Sequence, residues 1–318
     1  MMKRGKKRIG LALGGGGARG LAHIGLLRVL EQEKIPIDLI VGTSIGALIG
    51  GVYASGLSPD EMEQRVDEYL HSPQFRSSAI EAFETAHARE DVGLTQKIQS
   101  FLKNRFHMVQ AMFRPGILSN EDFQATINYF VPDIQIEETQ IPFRAVATDL
   151  MTGELIIFSN GSLRQAVLAS CAVPGAVEPL KEGERLLSDG GIICLVPSSI
   201  ARTEGADIVI AVAVDRDICT EEELRTALDV YHRAGEIMSG KLENYELMDA
   251  DIVIFPEVGD LHWSSFSQAK TLIKEGEIAA RKNLDNIRNA ISAGEKRFAF
   301  KEILKSFLPK KRLAKPTL

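Results

Sequence analysis

Short, nearly continuous apolar runs alternate along this chain with longer segments whose apolar residues recur every three or four positions. Residues 8–13 form the first run and end at Gly14–Gly17. From Ala18 to Glu31, Leu21, Ile24, Leu27 and Leu30 share one helical face. Ile37–Val41 is a second run, closed by Gly42-Thr43-Ser44-Ile45-Gly46, and Ala47–Ala54 returns to the helical period. Strand–helix–strand–helix with apolar strands predicts a mainly parallel sheet covered by helices on both faces.

Pro59 to about Glu138 has a different texture. It is helix-period, rich in charge and without a convincing strand, which predicts a helical insertion or cap over the sheet. Within it, Lys97–Phe113 is amphipathic. That pattern suits a membrane-surface helix and equally a helix packed on its own domain, the commoner case. The α/β pattern resumes with strands at Phe143–Leu150 and Leu155–Ser159, joined by a turn at Met151–Glu154. Leu163–Ala172 reads as a helix stopped near Pro174, and Leu186–Leu187 leads into Asp189-Gly190-Gly191. Pro197–Thr203 reads as a helix, Asp207–Val214 as a strand and Glu221–Asp249 as a long helical stretch. The Ala-Asp-Ile-Val-Ile of 206–210 recurs at 250–254, each copy predicting a strand start. Ser267–Ser292 is helical. The organisation predicted is one domain over 8–292, its insertion at about 59–138, and a basic amphipathic tail over 293–318.

Composition narrows the class. At 318 residues, 25% charged and 45% hydrophobic, the chain is neither disordered, collagenous nor disulfide-stapled. Cys171, Cys194 and Cys219 show no paired or metal-binding spacing, so a reduced, cytoplasmic setting is expected. The glycines and Arg19 interrupt the early apolar run, which argues against a signal peptide, and no window is long enough to span a membrane. Each end of the chain carries +5, in residues 3–8 and 301–315, so a net charge of −6 leaves −16 between them. An acidic body with basic ends does not read as a nucleic-acid binder.

Three segments carry chemistry. Gly42-x-Ser44-x-Gly46 is a GXSXG pattern where a strand meets a helix, the setting of a nucleophile elbow; the alternative is an ordinary helix start capped by Thr43 or Ser44. Gly15-Gly16-Gly17-Ala18-Arg19-Gly20 fits a dinucleotide-binding turn, or a loop of bare N–H groups serving an oxyanion beside Ser44. A ribose-binding acid is missing from the end of the second strand, and Asp38 lies at its beginning. Arg19 could add positive charge there or lie on the surface. The base for Ser44 could be Asp189, at an exposed strand end, or His262, in a loop after a strand. Asp189-Gly190 could also be a plain turn. Local sequence does not choose between them.

Taken together, Gly15–Gly20 running into Leu-Ala-His-Ile-Gly25, Gly42–Gly46, Ala169-Ser-Cys-Ala-Val-Pro-Gly175 and Asp189-Gly-Gly191 resemble the patatin-like phospholipase family, specifically its compact bacterial members. The likeness extends over about residues 8–290, in the family's order. It departs after Asp-Gly-Gly, where Ile-Ile-Cys194-Leu replaces a segment that usually carries Asn, and at Ala176-Val-Glu178. The resemblance implies a three-layer α/β/α fold and a serine acyl hydrolase of the phospholipase A or lysophospholipase kind. It assigns the nucleophile to Ser44, the base to Asp189 and the oxyanion hole to the backbone of Gly15, Gly16 and Gly17. Arg19, Gly20, Gly42, Gly46, Gly190 and Gly191 belong to the motifs, and no metal or cofactor is implied. The expected partner is a lipid or lysolipid, with peripheral contact to the inner face of the membrane through the basic tail. The alternatives are a Ser–His esterase using His262 and a non-catalytic lipid- or dinucleotide-binding protein.

Overall fold

The computed structural model describes residues 7–76, 81, 116–118, 120–214, 227–259, 261 and 263–307. Its strands are β1 (Ile9–Leu13), β2 (Leu39–Thr43), β3 (Gly116–Leu118), β4 (Phe143–Asp149), β5 (Leu155–Phe158), β6 (Gly175–Val177), β7 (Leu180–Glu182), β8 (Arg185–Asp189), β9 (Ile208–Val212) and β10 (Ile252–Ile254). Its helices are α1 (Ala22–Gln32), α2 (Ile45–Ala54), α3 (Pro59–His71), α4 (Pro73–Arg76), α5 (Asn120–Phe130), α6 (Leu163–Ser170), α7 (Ser198–Thr203), α8 (Ala227–Glu246) and α9 (Ala269–Phe307).

The central sheet runs β10-β9-β1-β2-β4-β8-β7, with β5 also paired to β4. The five strands from β10 to β4 are parallel, whereas β5 and β8 meet β4 antiparallel. Every residue of β1, β2 and β9 is buried, as strands covered on both faces require. On one face lie α1, α2, α6 and α9, packed through Leu27, Leu30, Ile49 and Leu272. On the other lies α7, packed through Ile200 and Ala201 with Val196. The result is the three-layer α/β/α architecture, with a mainly parallel sheet.

Three sequence expectations change. The 59–138 segment contains a strand: β3 pairs in parallel with β6, Gly116 opposite Gly175 and Leu118 opposite Val177. Three residues are too few to show an alternating pattern, so periodicity could not reveal it. The first helix starts at Gly17 as a 3-10 turn and becomes α-helical only at Ala22. The last helix does not stop at Ser292 but continues to Phe307. The amphipathic 97–113 stretch and residues 308–318 of the tail lie outside the described residues.

The two ends of the parallel strands differ in kind. At the N-terminal edge, Asp38 accepts the N–H of Ile9 at 2.9 Å, Asp207 that of Arg8 at 3.0 Å and Asp251 that of Val209 at 2.8 Å. The two copies of Ala-Asp-Ile-Val-Ile are thus neighbouring parallel strands, with each aspartate bonding the strand beside it. Lys7 pairs with Asp207 at 3.1 Å, so the described end of the N-terminal basic cluster sits on this edge. The opposite edge, where Leu13, Thr43 and Asp149 end their strands, carries the glycine-rich turns.

Candidate active site

Ser44 joins β2 to α2 with φ 55° and ψ −128°, a backbone state that costs a non-glycine residue about 1–3 kcal/mol. The surroundings impose it. Its N–H donates to Ser170 Oγ at 2.9 Å, and that hydroxyl donates to the Val146 carbonyl at 2.6 Å. Its carbonyl accepts the amides of Ala47 and Leu48. The flanking glycines let the helix come down on the strand ends. A Cβ on Gly42 would lie 2.4 Å from the Gly46 carbonyl oxygen, and one on Gly46 2.2 Å from that of Leu13. Ser44 occupies the cap position of α2, but its hydroxyl caps nothing. It donates instead to Asp189 Oδ2 at 2.5 Å.

Asp189 ends β8 and opens a 3-10 turn, Gly190–Ile192, rather than a hairpin. The sheet register brings it to Ser44. Thr43 lies opposite Val146 and Asp189 opposite Ala147, so the two residues reach across β4 from either side at one level. Asp189 Oδ1 accepts the Gly191 N–H at 2.7 Å, and its own carbonyl accepts Thr148 Oγ1 at 3.0 Å. Gly190 passes the Val146 carbonyl so closely that a Cβ would sit 2.4 Å from it. Burial raises the Asp189 carboxyl to a pKa of about 6, with the Ser44 and Gly191 hydrogen bonds opposing. At neutral pH it is still mostly ionised, but a stronger base than a free carboxylate.

The glycine loop abuts the same hydroxyl. Gly15 lies against Ser44, where a Cβ would come within 3.3 Å of the serine Cβ. Its amide, however, donates to the Leu195 carbonyl at 3.0 Å, as that of Gly14 does to Val212. Of the three glycines expected to line an oxyanion hole, Gly15 thus lies closest against Ser44 but has its N–H engaged by Leu195. Among the described residues no carbonyl takes the amides of Gly16 or Gly17. Gly17, at φ 61°, is pressed against Trp263, whose carbonyl accepts the Ala18 N–H at 2.7 Å. Arg19 is buried rather than on the surface, and its Nε donates to the Gly16 carbonyl at 3.1 Å. Across a planar trans peptide the C=O of Gly16 and the N–H of Gly17 point opposite ways, so holding the first aims the second. Gly20 lets this turn touch Ile45 of α2.

The other candidates fall elsewhere. His23 is fully buried on α1, bonded through Nε2 to the Gly14 carbonyl at 2.9 Å, and burial lowers its pKa to about 4. It is a neutral anchor for the glycine loop. His71 is exposed beside Asp67. His87, His107 and His262 lie outside the described residues, as does the His232 side chain. Asp38, bonded to Ile9, lies at the edge opposite the glycine loop, so it is not placed to hold a ribose there. Ser170 stands within the Ala169–Gly175 block, but nothing in its local sequence signals that it holds the Ser44 backbone.

Ser44 and Gly17 open into a cavity of about 140 Å³ walled almost wholly by apolar side chains. Ile45, Leu48, Ile49 and Val52 line it along α2, at helical spacing. Met62 and Val66 of α3 and Ile127 of α5 face them. A cavity so lined, beside a serine hydroxyl, is suited to hold a hydrocarbon chain.

A sequence model of the patatin-like phospholipase family matches residues 11–201. The chain belongs to that family. An NTE family protein of Mycobacterium tuberculosis is 36% identical over 208 residues, 65% of this chain and 49% of that protein. Human patatin-like phospholipase domain-containing protein 6 is 33% identical over 258 residues, 80% of this chain but 16% of that protein. The chain therefore spans about half or less of these relatives' lengths. Among solved structures, VipD from Legionella pneumophila aligns over 88% of this chain and 67% of its own, with 15% identity and a TM-score of 0.45. Membership places the Ser44, Asp189 and glycine-loop motifs in a family named for phospholipases. Among the described residues no helix is long and apolar enough to cross a membrane.

Proposed function

We propose that this protein is a lipid acyl hydrolase, of phospholipase A or lysophospholipase type, working through a Ser44–Asp189 dyad. The observation that carries the reading is the 2.5 Å hydrogen bond from Ser44 Oγ, which lines an apolar cavity, to a buried Asp189. Asp189 Oδ2 takes the hydroxyl proton as Ser44 Oγ attacks the ester carbonyl. The tetrahedral oxyanion is met by the Gly16 and Gly17 amides, with the N-terminus of α2 adding favourable potential. The alcohol leaves with the proton from Asp189. Water then attacks the acyl-enzyme, Asp189 again taking the proton; the Ser44–acyl bond breaks, Asp189 returns the proton to Ser44 Oγ, and the fatty acid is released. The acyl chain occupies the cavity along α2. Residues 8–292 form the catalytic unit with 59–138 as its insertion, and the basic residues from Lys301 onward make peripheral contact with lipid.

The test is hydrolysis of p-nitrophenyl esters and lysophospholipids by wild type, Ser44→Ala and Asp189→Asn. Both variants are expected to lose at least ~10³-fold in kcat/KM. Either one turning over like wild type would discard the dyad. Loss of turnover in His262→Ala with Asp189→Asn spared would favour the Ser–His esterase.

A further inference from the structure

Helix α8 is mostly exposed, and among its described residues Glu246, at its last position, is the one buried as a whole. Burying a carboxylate is costly unless strong hydrogen bonds compensate. Here Oε1 accepts the Leu195 N–H at 3.0 Å and Oε2 the Val196 N–H at 2.8 Å. The segment so clamped touches both halves of the candidate site. The Leu195 carbonyl is the acceptor for the Gly15 N–H at 3.0 Å. The Leu195 side chain stands 3.0 Å from the Cβ position of Gly15 and 3.2 Å from that of Gly191, next to Asp189. Glu246 also lies outside residues 11–201, the part that matches the family model.

We infer that Glu246 is a positioning residue for the oxyanion loop, acting through Leu195. A carboxylate accepting two successive amides fixes the peptide plane whose carbonyl holds Gly15. Gly15 in turn sets where the next two amides point. Glutamine keeps the size but offers one acceptor, and its NH2 would face a backbone N–H. The loop would then relax by a few tenths of an ångström, enough to misalign donors that act only on the transition state. The inference rests on the reading of Gly16 and Gly17 as oxyanion donors.

The experiment compares wild type with Glu246→Gln, well below the melting temperature of each, on a p-nitrophenyl ester. It also measures inhibition by a trifluoromethyl ketone, whose adduct with serine carries an oxyanion. We expect kcat to fall about 10- to 100-fold with KM within about twofold, and the ketone inhibition constant to rise by the same factor as kcat/KM falls. A smaller folded fraction would lower kcat but leave that inhibition constant unmoved. Unchanged kcat, or a fall in kcat with unchanged ketone affinity, overturns the inference. Should Glu246→Gln not fold, Glu246→Asp, whose shorter side chain draws the carboxylate back from the two amides, replaces it with the same expected and overturning results. If wild type itself shows no Ser44-dependent turnover, the proposed function fails separately. Amide exchange across residues 13–21 then decides the positioning role: faster in Glu246→Gln supports it, and unchanged overturns it.

Discussion

Aspartate serves opposite ends of this sheet in opposite ways. At the N-terminal edge Asp207 lies partly in water, bonded to the Arg8 amide and Lys7, and those contacts hold its carboxyl below the usual range despite some burial. At the C-terminal edge Asp189 is enclosed, with one hydroxyl and one amide for company, and burial holds it above that range, at about 6. The first arrangement stabilises an ionised carboxylate and the strand start beside it. The second makes the ionised form expensive, which suits a base. Surroundings, not residue type, separate an aspartate that anchors a strand from one fit to act as a base.

The widest gap between the edges should appear in activity. Asp189→Asn should remove at least ~10³-fold of kcat/KM in an ester assay, while Asp207→Asn should leave it within about twofold. A large loss from Asp207→Asn would erase the distinction. Next comes Arg19→Met, which frees the Gly16 carbonyl. We expect kcat about 10- to 100-fold lower at nearly unchanged KM, and an unchanged kcat would mean that Arg19 does not aim the Gly17 amide.

The pH dependences should also differ in sign. Activity should rise with pH through about 6 as Asp189 loses its proton, read as log(kcat/KM) against pH. Stability should move the other way at that residue. A carboxyl whose folded pKa is raised from 3.8 to about 6 contributes fully below pH 3.8 and loses that contribution as pH rises through 6. Asp189→Asn should therefore be about 1–3 kcal/mol more stable than wild type at pH 8, by urea denaturation, with the gain shrinking towards pH 4. A variant less stable at both values would contradict the cost assigned to burial. Asp207, with its lowered pKa, stabilises above pH 3.8 and loses that as pH falls further. Its exposure keeps the effect of Asp207→Asn within about 1 kcal/mol, the smallest change expected here.

Much of the fold and part of the site are legible in the chain's local patterns. The apolar runs at 8–13, 37–41 and 207–214 predict the buried parallel strands β1, β2 and β9, because a strand covered on both faces has no polar side to show. The GXSXG segment locates Ser44, because only small neighbours allow so sharp a turn. Strand β3 is hidden because three residues hold too little pattern. The choice between Asp189 and His262 stays open to local reading, because a base is chosen by distance across the sheet and not by its neighbours in sequence.

What the sequence determined by itself is the set of elements and the places where backbone must pass close to backbone, since periodicity and glycine are local properties. Tertiary structure decided which groups meet. The β2–β4–β8 register carries Asp189 to Ser44 over 145 positions of chain. The Leu195 carbonyl engages the Gly15 N–H, and Glu246, some 50 residues further on, binds the amides of Leu195 and Val196. No local pattern encodes those contacts, because a hydrogen bond depends on where the fold has brought its two ends.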